Sequence, residues 1–496
     1  MFEVAELGHT VAKAEYKARV PGLRTRLLTL QQRLLEADFP VLVLVSGVDG
    51  AGKGATVNLL NAWLDPRHLR TYAFGPQSDE ERERPDYWRF WRALPPRGHI
   101  GIYVGSWYSD PIAERLHERL GDAELDTRLQ RVRAFEKMLA DDGALIIKFW
   151  LHLGRTAQKA RLDALAADPE TAWRVTRQDR EHLERYDRFR AVAGHVLRET
   201  STGEVPWVIV EGADHRYRHL TVGQHVADRI EAHLAEGAEV PGRPAEGFTH
   251  IATPTESDPR TVLDTVDLSR FLPKKAYQAA LHEHQNRLSR LARRAAERGV
   301  SSIVVLEGWD AAGKGGIIRR IVPALDARHY QVIQVAAPTD EERAHHYLWR
   351  FWRHIPRAGN TTVYDRSWYG RVLVERMEGL CREAEWLRAY AEIDDFERQL
   401  AEHGICLVKF WLHLDPDEQL RRFRERERVP WKRHKITEED YRNRDKWPLY
   451  EHAVNDMVER TGTEFAPWTL VAANDKRHAR IQALKTYCER LEAALG

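Results

Sequence analysis

The stretch Ile303-Val304-Val305-Leu306-Glu307-Gly308-Trp309-Asp310-Ala311-Ala312-Gly313-Lys314-Gly315 joins an apolar, β-branched run to a glycine-rich loop. Apolar residues at helical spacing follow at 317–324, so the sequence predicts a buried strand, a loop and a helix in succession. In a G-x-x-x-x-G-K loop, the glycines let successive backbone N–H groups point inward, and the following helix adds its positive end. The predicted phosphate-binding loop consists of Gly308, Ala311, Ala312, Gly313, Lys314 and Gly315.

Short apolar runs alternate with helix-length polar segments after this loop. A helix is predicted at 276–297 from its apolar spacing, and strands are predicted at 303–306, 330–335, 361–364, 405–411 and 468–472. Alternation of this kind is typical of a mostly parallel sheet covered by helices on both faces. The fold class predicted for this half of the chain is therefore α/β.

The sequence repeats itself at a shift of 261 positions. That shift aligns Arg89-Phe90-Trp91-Arg92 with Arg350-Phe351-Trp352-Arg353, and Lys148-Phe149-Trp150-Leu151-His152 with Lys409-Phe410-Trp411-Leu412-His413, without a gap. A period this long excludes a solenoid and indicates two tandem copies of one globular fold. We predict a first domain at 1–235, a linker at 236–260 that is rich in Pro, Gly, Ala, Thr and Glu, and a second domain at 261–496.

Two carboxylates in the second copy are candidate magnesium ligands. The Ser or Thr that usually follows the loop lysine is replaced by Gly315, so another group must help to hold the metal. Asp310 lies inside the loop, and Asp365 ends a predicted strand, where such folds hold a magnesium ion or its waters. Arg366 could bridge phosphate oxygens. The alternatives are a turn-forming Asp310 and a surface ion pair between Asp365 and Arg366.

A basic run at 421–435 carries a net charge of +6. Such runs usually mark a solvated helix face, but this one follows a predicted strand, where nucleotide kinases carry a mobile lid. The aligned residues 160–174 of the first copy carry −1, and Asp365, Arg366 and Arg371 correspond there to Val104, Gly105 and Asp110. The first copy keeps Lys53 and Asp49. We therefore predict a degenerate first domain, which could still bind phosphate, and a catalytic second domain.

The overall composition excludes several classes of partner. Lys plus Arg total 76 against 75 Asp plus Glu, which indicates no general affinity for nucleic acid or membranes. Three cysteines without metal spacing suit a reducing compartment. Residues 1–10 lack the pattern of a secretory signal, and no apolar run is long enough to span a bilayer. We expect a cytoplasmic protein, and leave open whether it forms a homo-oligomer.

Four segments together resemble the second family of polyphosphate kinases. They are Gly308 to Gly315, Tyr364-Asp365-Arg366-Ser367-Trp368-Tyr369, Lys409-Phe410-Trp411-Leu412-His413 and Ala473-Asn474-Asp475-Lys476-Arg477. The resemblance spans both copies. It implies tandem P-loop kinase domains of the thymidylate-kinase-like fold, Mg2+ as cofactor, and phosphoryl transfer between inorganic polyphosphate and nucleotides. Two fused copies resemble the subgroup that converts AMP to ADP, with GMP as a further acceptor.

The resemblance also implies roles for single residues. Asp310 and Asp365 would organise magnesium, and Lys314 and Arg366 would neutralise the transferring oxygens, with Arg371 on a phosphate. The lid would consist of Arg422, Arg426, Lys432, Lys435 and Arg444, and the base would contact Asn474 and Asp475. Rival interpretations are an ADP-phosphorylating polyphosphate kinase, an ATP-dependent nucleotide kinase of the same fold, and a polyphosphate-binding scaffold that catalyses nothing.

Overall fold

A computed structural model describes residues 1–239, 261–430 and 438–496. The chain folds into two compact units. Of the described residues, those at 1–77, 89–239 and 340–346 form the first unit, and those at 78–88, at 261–339 and from 347 onward form the second unit. Most of the predicted linker falls at 240–260, outside the described residues. None of the helices in the described ranges is both long and apolar enough to cross a bilayer.

Each copy of the repeat forms a five-stranded sheet in which all neighbouring strands are parallel. The first sheet has the order β2-β3-β1-β4-β5, and the second has the equivalent order β7-β8-β6-β9-β10. The strands are β1 Val41–Gly47, β2 Leu69–Ala73, β3 Ile100–Val104, β4 Leu145–His152, β5 Trp207–Glu211, β6 Ser302–Gly308, β7 Tyr330–Gln334, β8 Thr361–Asp365, β9 Cys406–His413 and β10 Trp468–Ala472.

Helices connect the strands and flank both sheets. In the first copy they are α1 Lys13–Leu34, α2 Lys53–Trp63, α3 Asp79–Arg82, α4 Trp88–Arg92, α5 Ser109–Leu116, α6 Asp122–Asp141, α7 Arg155–Ala167, α8 Arg177–Glu184, α9 Tyr186–Thr200 and α10 His215–Glu239. In the second copy they are α11 Lys274–Arg298, α12 Lys314–Ile321, α13 Asp340–Arg343, α14 Trp349–Trp352, α15 Val374–Met377, α16 Glu383–Glu402, α17 Pro416–Arg428, α18 Glu438–Asp445, α19 Trp447–Thr461 and α20 Lys476–Leu495.

Strand β6 lies at the centre of the second sheet and is buried over most of its length. Its Leu306 lies opposite Asp365 of β8 and Phe410 of β9. Because all these strands are parallel, their carboxyl ends meet at one edge of the sheet. The predicted α/β fold class is therefore confirmed, and the sheet brings the glycine loop after β6 close to the acid that ends β8.

A buried ion pair joins sheet and helices in both copies. Lys409 of β9 donates hydrogen bonds to Glu397 of α16 at 2.7 Å, and to the Tyr369 hydroxyl and the Thr461 carbonyl at 2.8 Å each. The side chains of Lys409 and Glu397 are completely buried. Burial lowers the pKa of Lys409 and raises the pKa of Glu397, and it outweighs the charge of the partner, which shifts each pKa in the opposite direction. The same network recurs as Lys148, Glu136, Tyr108 and Thr200.

Removing one member of this pair should destabilise the second unit. We expect Glu397→Ala to lower its free energy of unfolding by roughly 3–5 kcal/mol, because the Lys409 charge would remain buried without its partner. Urea unfolding followed by tryptophan fluorescence measures this loss. Glu136→Ala is the matched variant for the first unit. A loss below about 1 kcal/mol in Glu397→Ala would mean that Lys409 is already neutral in the folded chain.

Candidate functional site

The glycine loop connects β6 to α12 in a conformation that requires its glycines. Gly308 has φ 146°, and a Cβ at that position would lie 2.6 Å from the Leu412 carbonyl oxygen of the neighbouring strand. Gly313 has φ 118° and caps the N-terminus of α12. The Lys314 ammonium donates a hydrogen bond to the Gly308 carbonyl at 2.6 Å, so the lysine lies across its own loop. Burial, aided by the charge of Arg366, lowers its pKa.

Asp310 is the carboxylate around which the loop is organised. It accepts hydrogen bonds from the Arg366 guanidinium and from the Asn443 side-chain amide, both at 3.1 Å. Burial acts to raise the pKa of Asp310, but the positive charges of Lys314 and Arg366 and the Asn443 hydrogen bond outweigh it, so the pKa is lowered. Asp310 is therefore ionised at neutral pH and can attract a divalent cation.

Two residues of the site have strained backbone conformations. Arg366 has φ 64° and Ala311 has φ 63°, in the left-handed region that favours glycine. The aligned positions of the first copy are Gly105, with φ 73°, and Gly50, with φ 80°. The first copy thus follows the same backbone path with residues that carry no strain. In the second copy the left-handed conformation of Arg366 occurs together with a hydrogen bond from its guanidinium to Asp310.

A cavity of about 860 Å³ opens over the loop. Three acids contribute to its lining, namely Asp310, Asp365 and Glu425. Eight cationic residues also line it, namely Lys314, Arg319, Arg320, Arg366, Arg422, Arg426, Lys476 and Arg480. The lining therefore carries five positive charges in excess. A pocket of this charge is suited to a polyanion and would repel a cationic ligand.

The structure brings most of the predicted phosphate-binding residues to this cavity. Ala311, Ala312, Gly313, Gly315 and the predicted catalytic residues all line it, and Gly308 lines a small adjoining pocket. Arg371 is not part of either lining. It forms an ion pair with Glu375 at 3.1 Å, and its guanidinium stacks on the Tyr347 ring. The contacts of Arg371 thus stabilise the segment after β8.

Arg422 was predicted as a residue of a mobile lid, but it is almost completely buried. Its helix α17 begins with Asp415 as N-cap and Pro416 in the first turn. The guanidinium donates to the carbonyl oxygens of Ala311 and Ala312 in the loop, at 3.0 and 2.9 Å, and to those of Ala473 and Asn474 after β10. Arg422 therefore ties the glycine loop to the segment after β10, at the wall of the cavity, and fixes the position of the loop.

The other predicted lid residues have different surroundings. Arg426 lines the cavity. Arg444 donates to the Pro416 carbonyl at the start of α17. Lys432 and Lys435 lie outside the described residues.

The two residues predicted to contact the base, Asn474 and Asp475, form hydrogen bonds within the protein. The Asn474 side chain is hydrogen-bonded to Asp415. Asp475 caps α20 by accepting from the backbone N–H groups of Arg477 and His478. Neither Asn474 nor Asp475 lines the cavity. The residues that contact a nucleotide base therefore stay a prediction.

Several residues of the site were missed from the sequence. Glu307 is buried, accepts a hydrogen bond from Ser367 at 2.8 Å, and has its pKa raised by burial. The signal for it was an acid in an apolar strand where the first copy has Ser46. Asn443 gave no signal, because it is a single amide in a charged segment. The basic residues Lys476 and Arg480 lie four positions apart at the start of α20, which a helical projection would have revealed, and Arg319 and Arg320 lie in the last turn of α12.

Asp310 and Asp365 provide oxygen ligands for a divalent metal ion whose coordination shell a substrate would complete. Within the described ranges, no group of three or more His, Cys, Asp and Glu side chains could hold a metal by itself. Mg2+ in phosphate-transferring sites is commonly bound through one or two carboxylates, with substrate phosphates and water completing the shell. Asp310 and Asp365 line the same cavity and provide such a pair.

Taken together, the parallel sheet, the glycine loop and the cation-rich cavity define a phosphotransferase of the P-loop kinase class. The family model for polyphosphate kinase 2 matches residues 10–237 and 271–495. The chain therefore belongs to the polyphosphate kinase 2 family, and both copies of the repeat are members of it.

Relatives of the same length support this assignment. A polyphosphate:AMP phosphotransferase of Pseudomonas aeruginosa is 52% identical over 496 residues, covering 100% of this chain and 99% of that protein. A protein of the same name from Pseudomonas syringae pv. tomato is 49% identical over 497 residues, covering 100% of this chain and 99% of the relative. A crystal structure described as a polyphosphate kinase 2 from Pseudomonas aeruginosa PA01 has a TM-score of 0.88 and 50% identity, covering 100% and 99% of the two chains.

Replacing Arg366 by glycine should separate stability from activity. We expect Arg366→Gly to raise the free energy of unfolding of the second unit by about 1 kcal/mol, because the left-handed conformation carries no penalty for glycine. Loss of the half-exposed ion pair with Asp310 offsets little of that gain. Phosphotransfer should fall by roughly 10²-fold or more, since a cation aimed at the transferring oxygens is gone. Urea unfolding and initial rates measure the two effects.

Ala311→Gly is the matched control. It relieves the same kind of strain without removing a charge, so it should stabilise the unit with a much smaller loss of rate. A destabilised Arg366→Gly chain would show that the guanidinium contributes more to folding than its backbone conformation costs.

Proposed function

We propose that this protein transfers the terminal phosphoryl group of inorganic polyphosphate to AMP, giving ADP, in the second domain. GMP is a further candidate acceptor. The observation that carries the proposal is the cavity over the second glycine loop, whose lining has eight cationic residues and three acids. The two full-length relatives support the choice of substrates, since both are named polyphosphate:AMP phosphotransferases.

In the proposed reaction, an oxygen of the AMP phosphate attacks the terminal phosphorus of polyphosphate. The new P–O bond forms as the bridging P–O bond to the rest of the chain breaks, so ADP leaves with polyphosphate that is shorter by one phosphate. This chemistry depends on positioning and on neutralising negative charge. The loop N–H groups and Lys314 would hold the phosphates, and Arg366 would stabilise the charge on the transferring oxygens.

Magnesium fits this scheme as a bound cofactor. Asp310 and Asp365 would hold Mg2+, which supplies further neutralisation of the phosphate oxygens when bound. Asn443 and Arg366 keep the Asp310 carboxylate oriented through their hydrogen bonds. Arg422 holds the carbonyl oxygens of Ala311 and Ala312 through its hydrogen bonds and so fixes the conformation of the loop.

We also infer that the first domain does not catalyse the reaction. It has Val104 and Gly105 where the second domain has Asp365 and Arg366, and Ser46 where the second has Glu307. Its remaining loop carboxylate, Asp49, is paired with Lys53 at 3.0 Å and with His182 at 2.6 Å.

The free cysteines suit a reducing compartment, so we infer a cytoplasmic location.

The repeat provides a matched test of where the chemistry occurs. Lys314→Ala should lower the rate of ADP formation by roughly 10²-fold or more, whereas Lys53→Ala, its counterpart in the first domain, should leave it almost unchanged. Asp365→Ala should likewise abolish turnover. Nucleotide separation after incubation with polyphosphate, Mg2+ and AMP measures each rate. Turnover that survives Asp365→Ala would transfer the catalytic role to the first domain.

The substrates can be identified with a panel of donors and acceptors. Purified protein is incubated with Mg2+, with either long-chain polyphosphate or ATP as donor, and with AMP, GMP, ADP or GDP as acceptor. We expect polyphosphate with AMP to give the fastest reaction. Faster transfer from ATP would indicate an ATP-dependent nucleotide kinase, and a preference for ADP would indicate synthesis of ATP. Binding of polyphosphate without turnover of any acceptor would indicate a scaffold.

A further inference from the structure

The first glycine loop, at residues 47–54, is a motif that the proposed function does not use. It has the backbone form of the second loop, with Gly52 at φ 93° capping α2 as Gly313 caps α12. Lys53 donates to the Gly47 carbonyl at 2.8 Å, as Lys314 does to that of Gly308. By its backbone alone, the first loop should bind phosphate as well as the second.

A side chain fills the space in front of the first loop. A Cβ built on Gly52 would lie 2.4 Å from Cζ of Arg218 and 2.6 and 2.7 Å from its two terminal nitrogens. The guanidinium therefore lies directly against the glycine that begins the helix. Arg218 extends from α10 and is only 5% exposed.

The second loop is open at the same place. A Cβ built on Gly313 would have no atom within 4 Å, and this side of the loop faces the large cavity. The residue aligned with Arg218 is Ala479 of α20, whose side chain is far too short to reach the loop. At this place the two copies differ by one arginine against one alanine on equivalent helices.

The guanidinium is held in place by neutral oxygens. Arg218 donates to the Gly212 carbonyl at 2.6 Å and to the Thr56 hydroxyl at 3.0 Å. Thr56 aligns with Ile317, so the hydroxyl that accepts this bond belongs to the first copy alone. Among the described residues, no carboxylate lies within ion-pair distance of Arg218. Burial and the charge of Arg161 lower its pKa to about 10, so the side chain stays cationic at neutral pH.

We propose that the Arg218 guanidinium occupies the space beside Gly52 and thereby excludes phosphate from the first loop. The Thr56 contact, which the second copy lacks, fixes the guanidinium against Gly52, and the second loop leaves room for a ligand beside Gly313. The Gly212 contact is not specific to the first copy, because the equivalent Ala473 carbonyl accepts from Arg422. The first domain then contains a latent site for a phosphate or pyrophosphate group, closed by its own chain. This inference is independent of which nucleotide the second domain phosphorylates.

The test measures how many pyrophosphate molecules the full-length chain binds, by equilibrium dialysis with radiolabelled pyrophosphate. Sites in the second domain are common to all variants, so differences in number report on the first loop. Arg218→Ala should bind one more pyrophosphate per chain than the wild type. The double variant Arg218→Ala/Lys53→Ala should lose that additional site, because it lacks the loop lysine. ADP formation should be unchanged in Arg218→Ala, which also shows that the chain is folded.

Two results would overturn the proposal. One is a folded, active Arg218→Ala chain that binds no additional pyrophosphate. The other is a wild-type chain that already binds at the first loop, seen as fewer sites in the single variant Lys53→Ala. The comparison of the wild type with Lys53→Ala needs no change at Arg218, so it decides the question even if Arg218→Ala fails to fold. Equal numbers of pyrophosphate sites in these two chains would support a closed first loop.

Discussion

An excess of positive charge around one glycine loop is the feature on which the second domain depends. Eight cationic residues and three acids line the cavity, and ion pairs such as Arg366–Asp310 and Arg422–Glu418 offset only part of the repulsion between the cations. Burial and the neighbouring Arg366 charge already lower the pKa of Lys314. The scaffold must therefore hold like charges close together, and its stability has to come from elsewhere in the domain.

That stability comes from contacts that both copies share. The buried Lys409–Glu397 pair and its counterpart Lys148–Glu136 tie the sheet to helices on one face through the same set of hydrogen bonds. The central strands carry the same register with their neighbours in both sheets. What differs lies at the carboxyl edge of the sheet, where Asp365, Arg366 and Glu307 replace Val104, Gly105 and Ser46. One scaffold thus supports two loops with different surroundings.

The strands of the second domain were predicted to within about two residues, because parallel strands buried on both faces read as short β-branched runs. The loop and its adjoining acid followed from motif and strand order. Arg422 could not be placed correctly, since a basic run does not show which guanidinium turns inward to loop carbonyls. Asn443 and Arg480 were missed because each reaches the site from a distant segment. The position of such residues at the site is set by the packing of the helices, which the local sequence pattern does not reveal.

The first loop shows why a glycine motif identifies a fold more securely than an activity. Lys53 and Asp49 are retained there, yet they form an ion pair with each other, and His182 bonds to the same carboxylate. Burial alone would raise the pKa of Asp49, but Lys53 and His182 lower it. The Asp49 carboxylate therefore already has its partners within the protein. In the second loop the partners of Asp310 are Arg366, whose backbone is strained, and Asn443. Strain alone does not separate the copies, because Glu118 of the first copy has φ 60° where the second copy has Gly379. The two loops differ instead in that the Arg366 guanidinium contacts the loop carboxylate, a contact that Gly105 cannot make.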